Sequence, residues 1–284
     1  MSRVVARGPG RVNLIGEHTD YNGGLALPFA IDRGVTVTAE PLDGERIEAH
    51  AADLGERDAF ALAGDDGAAE GWRAFVRGTV AELRAAGHAV RACRLTIEGD
   101  LPHGSGLSSS AALEAALCLA LLEDPGVDRV ELAKLCSRVE NDHVGARTGL
   151  LDQLAVLCGR EGHALRIDFR EGSIEPVPLE LGDWRLVTLD SGAAHEHAGG
   201  GYNERRAECA AACEALGIAS LRDDYEASVP AVERTVEALK HVGAAGARMV
   251  GGGFGGSVLA LFPPGVTPPD GCVSVDPGPA ARRL

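Results

Sequence analysis

The chain has 284 residues, enough for one large domain or two modest ones. Hydrophobic residues make up 45% and aromatics only 4%, so a packed core is feasible but must be filled by aliphatic side chains and alanine. The formal net charge of -15 argues against non-specific binding to nucleic acid or anionic membrane, while leaving open small anionic ligands, which respond to local fields.

Seven cysteines are scattered without a C-x-x-C pair, which suits reduced cytosolic thiols buried as small hydrophobes. The first residues lack the apolar stretch of a signal peptide, and no run of about 18 apolar residues is long enough to cross a membrane. A cytoplasmic, monomeric protein is expected.

The first segment of note is GRVNLIGEHTDYNGG, residues 10–24. It sets Arg11, Glu17, His18, Asp20 and Tyr21 between glycines. Two readings fit it. Carboxylates accept from paired sugar hydroxyls, and histidine and asparagine complete such a fork. The same residue types also make an ordinary polar turn.

Alternating Val and Thr predict a strand at 34–40, with 46–52 as a partner for it. An amphipathic helix is expected at 71–86 and a strand at 93–98. The loop Pro102-His103-Gly104-Ser105-Gly106-Leu107-Ser108-Ser109-Ser110 then leads into an Ala/Leu helix at 108–122, with serines placed to cap it. Its glycines permit a tight turn and close approach to a ligand. The N–H groups and dipole of a helix start favour an anion. A plain capped helix fits as well. The loop is not a Walker A motif, because neither Lys134 nor Lys240 lies near it. Phosphate charge would then meet backbone dipoles, arginine or Mg²⁺ held by oxygen ligands.

A second helix is expected at 130–143. Asp152 stands in the apolar run LLDQLAVLCG, where it either caps a helix or needs a charged partner, for which Arg11 is the candidate. Strands are expected at 164–169 and 184–189, helices at 202–216 and 231–242, and a strand at 257–262, followed by a loosely ordered Pro- and Gly-rich tail. Gly251, Gly253 and Gly256 satisfy G-x-G-x-x-G, but the apolar run SVLALF follows where a dinucleotide fold needs a helix. His195 and His197 lack a third ligand at zinc spacing. The irregular order of strands and helices indicates an α+β fold. A boundary near Gly182 divides it into domains 1–182 and 183–284.

The residues carry a resemblance. GRVNLIGEHTDYNGG resembles the galactokinase signature, PHGSGLSSSAALEAAL the ATP motif of the wider galactokinase, homoserine, mevalonate and phosphomevalonate (GHMP) kinase superfamily, and GARMVGGGFGGSVLAL its third motif. ENDHVGARTGLLDQLAVLCG and HEHAGGGYNERRAEC are similar to further galactokinase segments. The resemblance spans roughly residues 8–262, with the motifs in family order.

It implies a two-domain GHMP-kinase fold and phosphorylation of galactose at the anomeric hydroxyl by ATP with Mg²⁺. Arg11, Glu17, His18, Asp20 and Tyr202 would bind the sugar, and Asp152, with Arg11, would be catalytic. Residues 102–110, including His103, Gly104 and Ser105, would bind ATP. Ser110 and Glu140 would hold the metal, and residues 251–256 would help shape the site. A related sugar-1-kinase acting on N-acetylgalactosamine or arabinose, and a catalytically silent galactose and ATP sensor, are the alternatives. The chain departs from the family by starting almost at the first motif and by lacking an internal block near 221–225. It also carries Val250 for a usual Thr and Arg147 for a usual Pro.

Overall fold

The computed structural model describes residues 2–63, 69–102, 105–124, 126–192, 198–218, 220, 230–251 and 256–284, with the backbone alone at 198–200, 202 and 216. The chain runs β1 (Val4–Asn13), β2 (Leu25–Ala26), β3 (Pro28–Pro41), β4 (Arg46–Ala51), β5 (Glu56–Ala61), α1 (Trp72–Ala85), β6 (Cys93–Gly99), α2 (Ser109–Leu121) and α3 (Arg129–Arg138). A π turn at Val139–Val144 leads to α4 (Leu151–Cys158), β7 (His163–Asp168), β8 (Ser173–Pro178), β9 (Arg185–Asp190), α5 (Ala198–Leu216) and α6 (Pro230–His241). Four strands close the chain: β10 (Gly246–Met249), β11 (Ser257–Phe262), β12 (Val273–Ser274) and β13 (Arg282–Arg283).

Among the described residues the strands form three sheets, ordered β13-β1-β3-β6-β4-β5, β10-β11-β9-β12 and β2-β7-β8. Pairing is antiparallel except between β4 and β6, whose connection runs through β5 and α1. The expected partnership of 34–40 with 46–52 does not form. β3 pairs with β1 and β6, and β4 with β5 and β6.

The centre of the larger part is α2. Residues Ala111 to Leu121 are all buried, as expected of a helix that is apolar on every side but for Glu114. It lies directly on β1, which is possible because β1 carries glycines there. A Cβ on Gly8 would sit 2.0 Å from the Ala112 carbonyl oxygen, and one on Gly10 2.7 Å from that of Leu107. Gly8 and Gly10 thus belong to the contact face of a strand. A smaller core around Val232, Val236, Leu239 and Phe262 joins α6 to the four-stranded sheet.

The tail after Pro263 is not loosely ordered. Val275 N donates to Leu186 O at 2.9 Å, Gly278 N to Ala30 O at 2.7 Å and Leu284 N to Val5 O at 2.8 Å. Arg283 donates to the carbonyls of Leu119 and Leu122, groups a helix end leaves unpaired, so it closes the C-terminus of α2. Proline and glycine here shape an extended strap whose backbone is satisfied by both halves of the chain.

Candidate active site

β1 ends at Asn13, and the chain then turns through the polar segment. His18 adopts φ 60°, a left-handed conformation uncommon for a residue with a side chain. The glycine before it, Gly16, runs so close to β2 that a Cβ would lie 2.1 Å from Leu25 O. This turn delivers Glu17, His18 and Asp20 to one pocket, which Arg11, Tyr21, Thr148, Gly149, Leu151, Asp152, Gln153 and Gly251 complete.

Arg11 lies on β1 and Asp152 in the first turn of α4. Arg11 Nε donates to Asp152 Oδ1 at 2.7 Å and Nη2 to Oδ2 at 2.8 Å, a bidentate pair. Arg11 is 2% exposed and its Nη1 donates to Gly106 O at 2.7 Å, so the same guanidinium also fixes the glycine loop. The Asp152 carboxylate accepts a short bond from the Ser108 hydroxyl. The expectation that Ser108 caps α2 therefore fails: it precedes the helix at φ 59° with its hydroxyl turned to Asp152. Asp152 is not a cap either, since Leu150 occupies that position. Asp20 supplies the acceptor instead, with Leu151 N donating to its Oδ2 at 3.3 Å.

Charge is crowded here. Burial pushes the Glu17 carboxyl up, against the lowering pull of Arg11 and Arg248. Gly251 N donates to Glu17 at 3.0 Å, and Arg248 donates to Leu14 O at 2.6 Å, so the C-terminal half holds this segment from behind. The Asp20 side chain opens partly to the pocket yet is enclosed by protein, and that burial raises its carboxyl. Behind the pocket, Glu140 takes a bond from Thr148 Oγ1 at 2.6 Å and another from Gln153 Nε2 at 2.9 Å. Glu140 is raised by burial and by the charge of Asp152, and lowered by hydrogen bonds from Thr148, Ser110 and Gln153. Glu114, fully buried on α2, is raised well above the ordinary carboxyl range by burial and then by Glu140.

Beyond the N-terminus of α2 a second cavity of about 290 Å³ is walled by Val35, Leu54, Trp72, Phe75, Ile97 and Leu113, with Ser109 and Ser110 at its edge. Trp72 is held by its Nε1 bond to Glu56, 2.8 Å, and by the Arg73 guanidinium 4.9 Å from its ring. Sequence reasoning missed this cavity, although Trp72 is one of only two tryptophans. It also missed Thr148, Gly149, Leu151, Gln153 and Arg248. No spacing rule links these positions to residues 10–24, since they come from α4, the loop before it and β10, which only the fold brings together.

Of the expected site residues, Arg11, Glu17, His18, Asp20 and Asp152 share the first pocket. Gly106 and Ser108 bond to its Arg–Asp pair, and Ser109 and Ser110 edge the second cavity. Pro102 O accepts from the Ser105 hydroxyl at 2.8 Å, Ser105 O accepts from Ser257 N at 3.0 Å, and Leu107 is buried in the core. His103, Gly104, residues 193–197, 221–229 and 252–255, and the Tyr202 side chain lie outside the described residues.

An α+β fold whose glycine–serine loop opens a buried helix against an arginine–aspartate pair defines a small-molecule kinase of the GHMP class. Residues 74–160 match the GHMP kinases N terminal domain and residues 204–269 the GHMP kinases C terminal. The galactokinase galactose-binding signature matches residues 1–41. A galactokinase of Mycobacterium bovis is 38% identical over 318 aligned positions, covering 90% of this chain and 88% of that protein. One from Streptomyces coelicolor is 34% identical, covering 89% and 83%. The chain belongs to the galactokinase family. The structure of Lactococcus lactis galactokinase complexed with galactose superimposes with TM-score 0.87 at 27% identity, over 99% of this chain and 95% of that one. A Methanococcus jannaschii mevalonate kinase shares the fold, with TM-score 0.64 at 19% identity. The Mycobacterium alignment is longer than the 284-residue chain, so that relative carries segments without a counterpart here.

Proposed function

We propose that the protein transfers the γ-phosphoryl group of ATP to the anomeric hydroxyl of galactose, acting as a cytoplasmic monomer with domains 1–182 and 183–284. One observation carries the reading. Asp152 lines the polar pocket that Glu17, His18 and Asp20 share and at the same time bonds to Ser108, the residue before the helix whose start faces the second cavity. A phosphoryl acceptor and a triphosphate need that adjacency for in-line transfer.

In this reading Glu17, His18, Asp20 and Tyr202 orient the sugar. Asp152 receives or orients the proton of the attacking hydroxyl. Arg11 keeps its carboxylate in place through two bonds and steadies charge that develops on the reacting oxygens. Unpaired N–H groups at the start of α2 and the loop 102–110 face the phosphates. The apolar cavity with Trp72 and Phe75 suits the adenine ring.

Ser110 and Glu140 would hold Mg²⁺. The fit rests on chemistry of the donor set: both supply oxygen ligands, and Asp152 disfavours ionisation of Glu140 as both do that of Glu114, an excess of negative charge that a divalent cation offsets. Bound there, the ion would neutralise phosphate charge during transfer.

ADP release by the purified protein with ATP and Mg²⁺, with and without galactose, tests the reading. Galactose-dependent release is expected. Release driven better by N-acetylgalactosamine or arabinose would overturn the substrate, and ligand binding without release would indicate a sensor.

A further inference from the structure

His18 is the strained residue of the sugar pocket, and its neighbours are unusual in where they come from. Its Nδ1 lies 2.5 Å from the Tyr21 hydroxyl, and the two rings meet edge to face with centroids 5.8 Å apart. Tyr21 in turn lies under a residue of the C-terminal half: the Arg206 guanidinium sits 5.4 Å from its ring centroid. Three residues of α5 at spacing i, i+3 and i+6 face this corner. Asn203 accepts from Arg147 N at 2.9 Å and donates to Gly145 O at 3.1 Å. Arg206 covers Tyr21. Cys209 lies 3.6 Å from Asn22 Nδ2, which also donates to the His18 carbonyl at 2.8 Å.

We propose that Tyr21, clamped by Arg206 of α5, is a positioning residue that fixes the ring orientation and tautomer of His18, with the proton on Nε2. The sign follows from electrostatics. A cation over a phenol ring withdraws density from it and makes the O–H a better donor. Tyr21 then donates to Nδ1, and the imidazole proton resides on Nε2. The pocket already holds three carboxylates, Glu17, Asp20 and Asp152, which act as acceptors. A His18 that donates supplies the complementary half of hydroxyl recognition. Arg206 and Tyr21 act through His18, so the C-terminal half tunes the sugar wall. This inference rests on the proposed sugar-kinase reading, and its test is arranged to separate the two.

The first measurement needs no sugar. In ¹⁵N-histidine spectra of the whole protein, with the His18 signals assigned by His18→Gln, the Nε2–H tautomer is expected in the wild type and in Arg206→Lys. Tyr21→Phe, which deletes one oxygen and keeps the packing, should give a tautomer mixture, and Arg206→Ala should move in the same direction. A dominant Nδ1–H form, or spectra unchanged by Tyr21→Phe, overturns the proposal. The second measurement is kinetic. Tyr21→Phe should raise the galactose KM about tenfold, the scale of one lost hydrogen bond, with the ATP KM unchanged. Arg206→Ala should raise it roughly three- to fivefold, as for a cation–π contact at an exposed site. The double variant should be no worse than Tyr21→Phe, because both act on one chain of contacts. Additive losses, or equal rises in both KM values, overturn it. A wild type that releases no ADP with galactose sinks the kinase reading instead, and the spectra still decide this one.

Discussion

Gly149 lies against the carboxylate of Asp20, so closely that a Cβ on the glycine would sit 1.8 Å from Oδ2. The carboxylate reaches the N–H of Leu151 only because that space is empty. Gly149→Ala therefore displaces Asp20 from the pocket and from the start of α4. Its effect should fall on the sugar, with the galactose KM raised about tenfold or more and the ATP KM unchanged. Steady-state kinetics with each substrate varied in turn checks this, and an effect on ATP alone would contradict it.

Asp152→Ala removes the acceptor of two arginine bonds and one serine bond together. Turnover should fall by about 10²–10⁴, the range for loss of a positioned proton acceptor, while ATP still binds. Rate assays paired with calorimetric ATP titration measure both. Near-normal turnover would remove Asp152 from the mechanism.

Trp72 should report on the nucleotide and not on the sugar. Trp72→Ala opens the wall of the second cavity and removes the indole that Glu56 and Arg73 hold, while those two keep their own ion pair at 2.9 Å. The ATP KM should rise about tenfold, consistent with the loss of one aromatic contact, with the galactose KM constant. A shift in the galactose KM alone would reassign the cavity.

Glu114 carries a pH prediction. Burial, followed by the charge of Glu140, raises its folded carboxyl, so the folded protein retains a proton that the unfolded chain releases. Such a group contributes stability that is full below the ordinary carboxyl range and is lost as pH rises through the folded value. Glu17, Asp20 and Glu140 are raised too and carry the same sign. Glu114→Gln keeps the shape without the ionisation, so its melting temperature should exceed that of the wild type by roughly 2–4 °C near neutral pH, equivalent to about 1 kcal/mol. The gap should narrow towards about pH 5, where the wild-type carboxyl keeps its proton. Thermal unfolding across that range decides it, and a gap independent of pH would refute the account.

Much of this site was legible in the sequence because its chemistry is concentrated in short segments. Residues 17–20 and 104–110, with Asp152 isolated in an apolar run, single themselves out by type. The long helices were readable from period and composition, as at Trp72–Ala85 and Pro230–His241. What the sequence hid has physical causes. β1 was obscured by Gly8 and Gly10, whose bare backbone serves close packing against α2. Ser108 looked like a cap until a distant carboxylate competed for its hydroxyl. Strands β5 and β8 alternate too weakly to stand out, being exposed along most of their length. The order of the tail depends on carbonyls offered by α2 and β9, which no local pattern encodes.

The return of the last residues to β1 has a consequence for handling the two halves separately. β13 caps Ala6 and Arg7 at the border of the first sheet, and β1 is a strand of 10 residues. A fragment stopping at residue 182 would present that border unpaired, an invitation to intermolecular strand addition. Solubility, and not catalytic competence, is then the first property such a fragment forfeits.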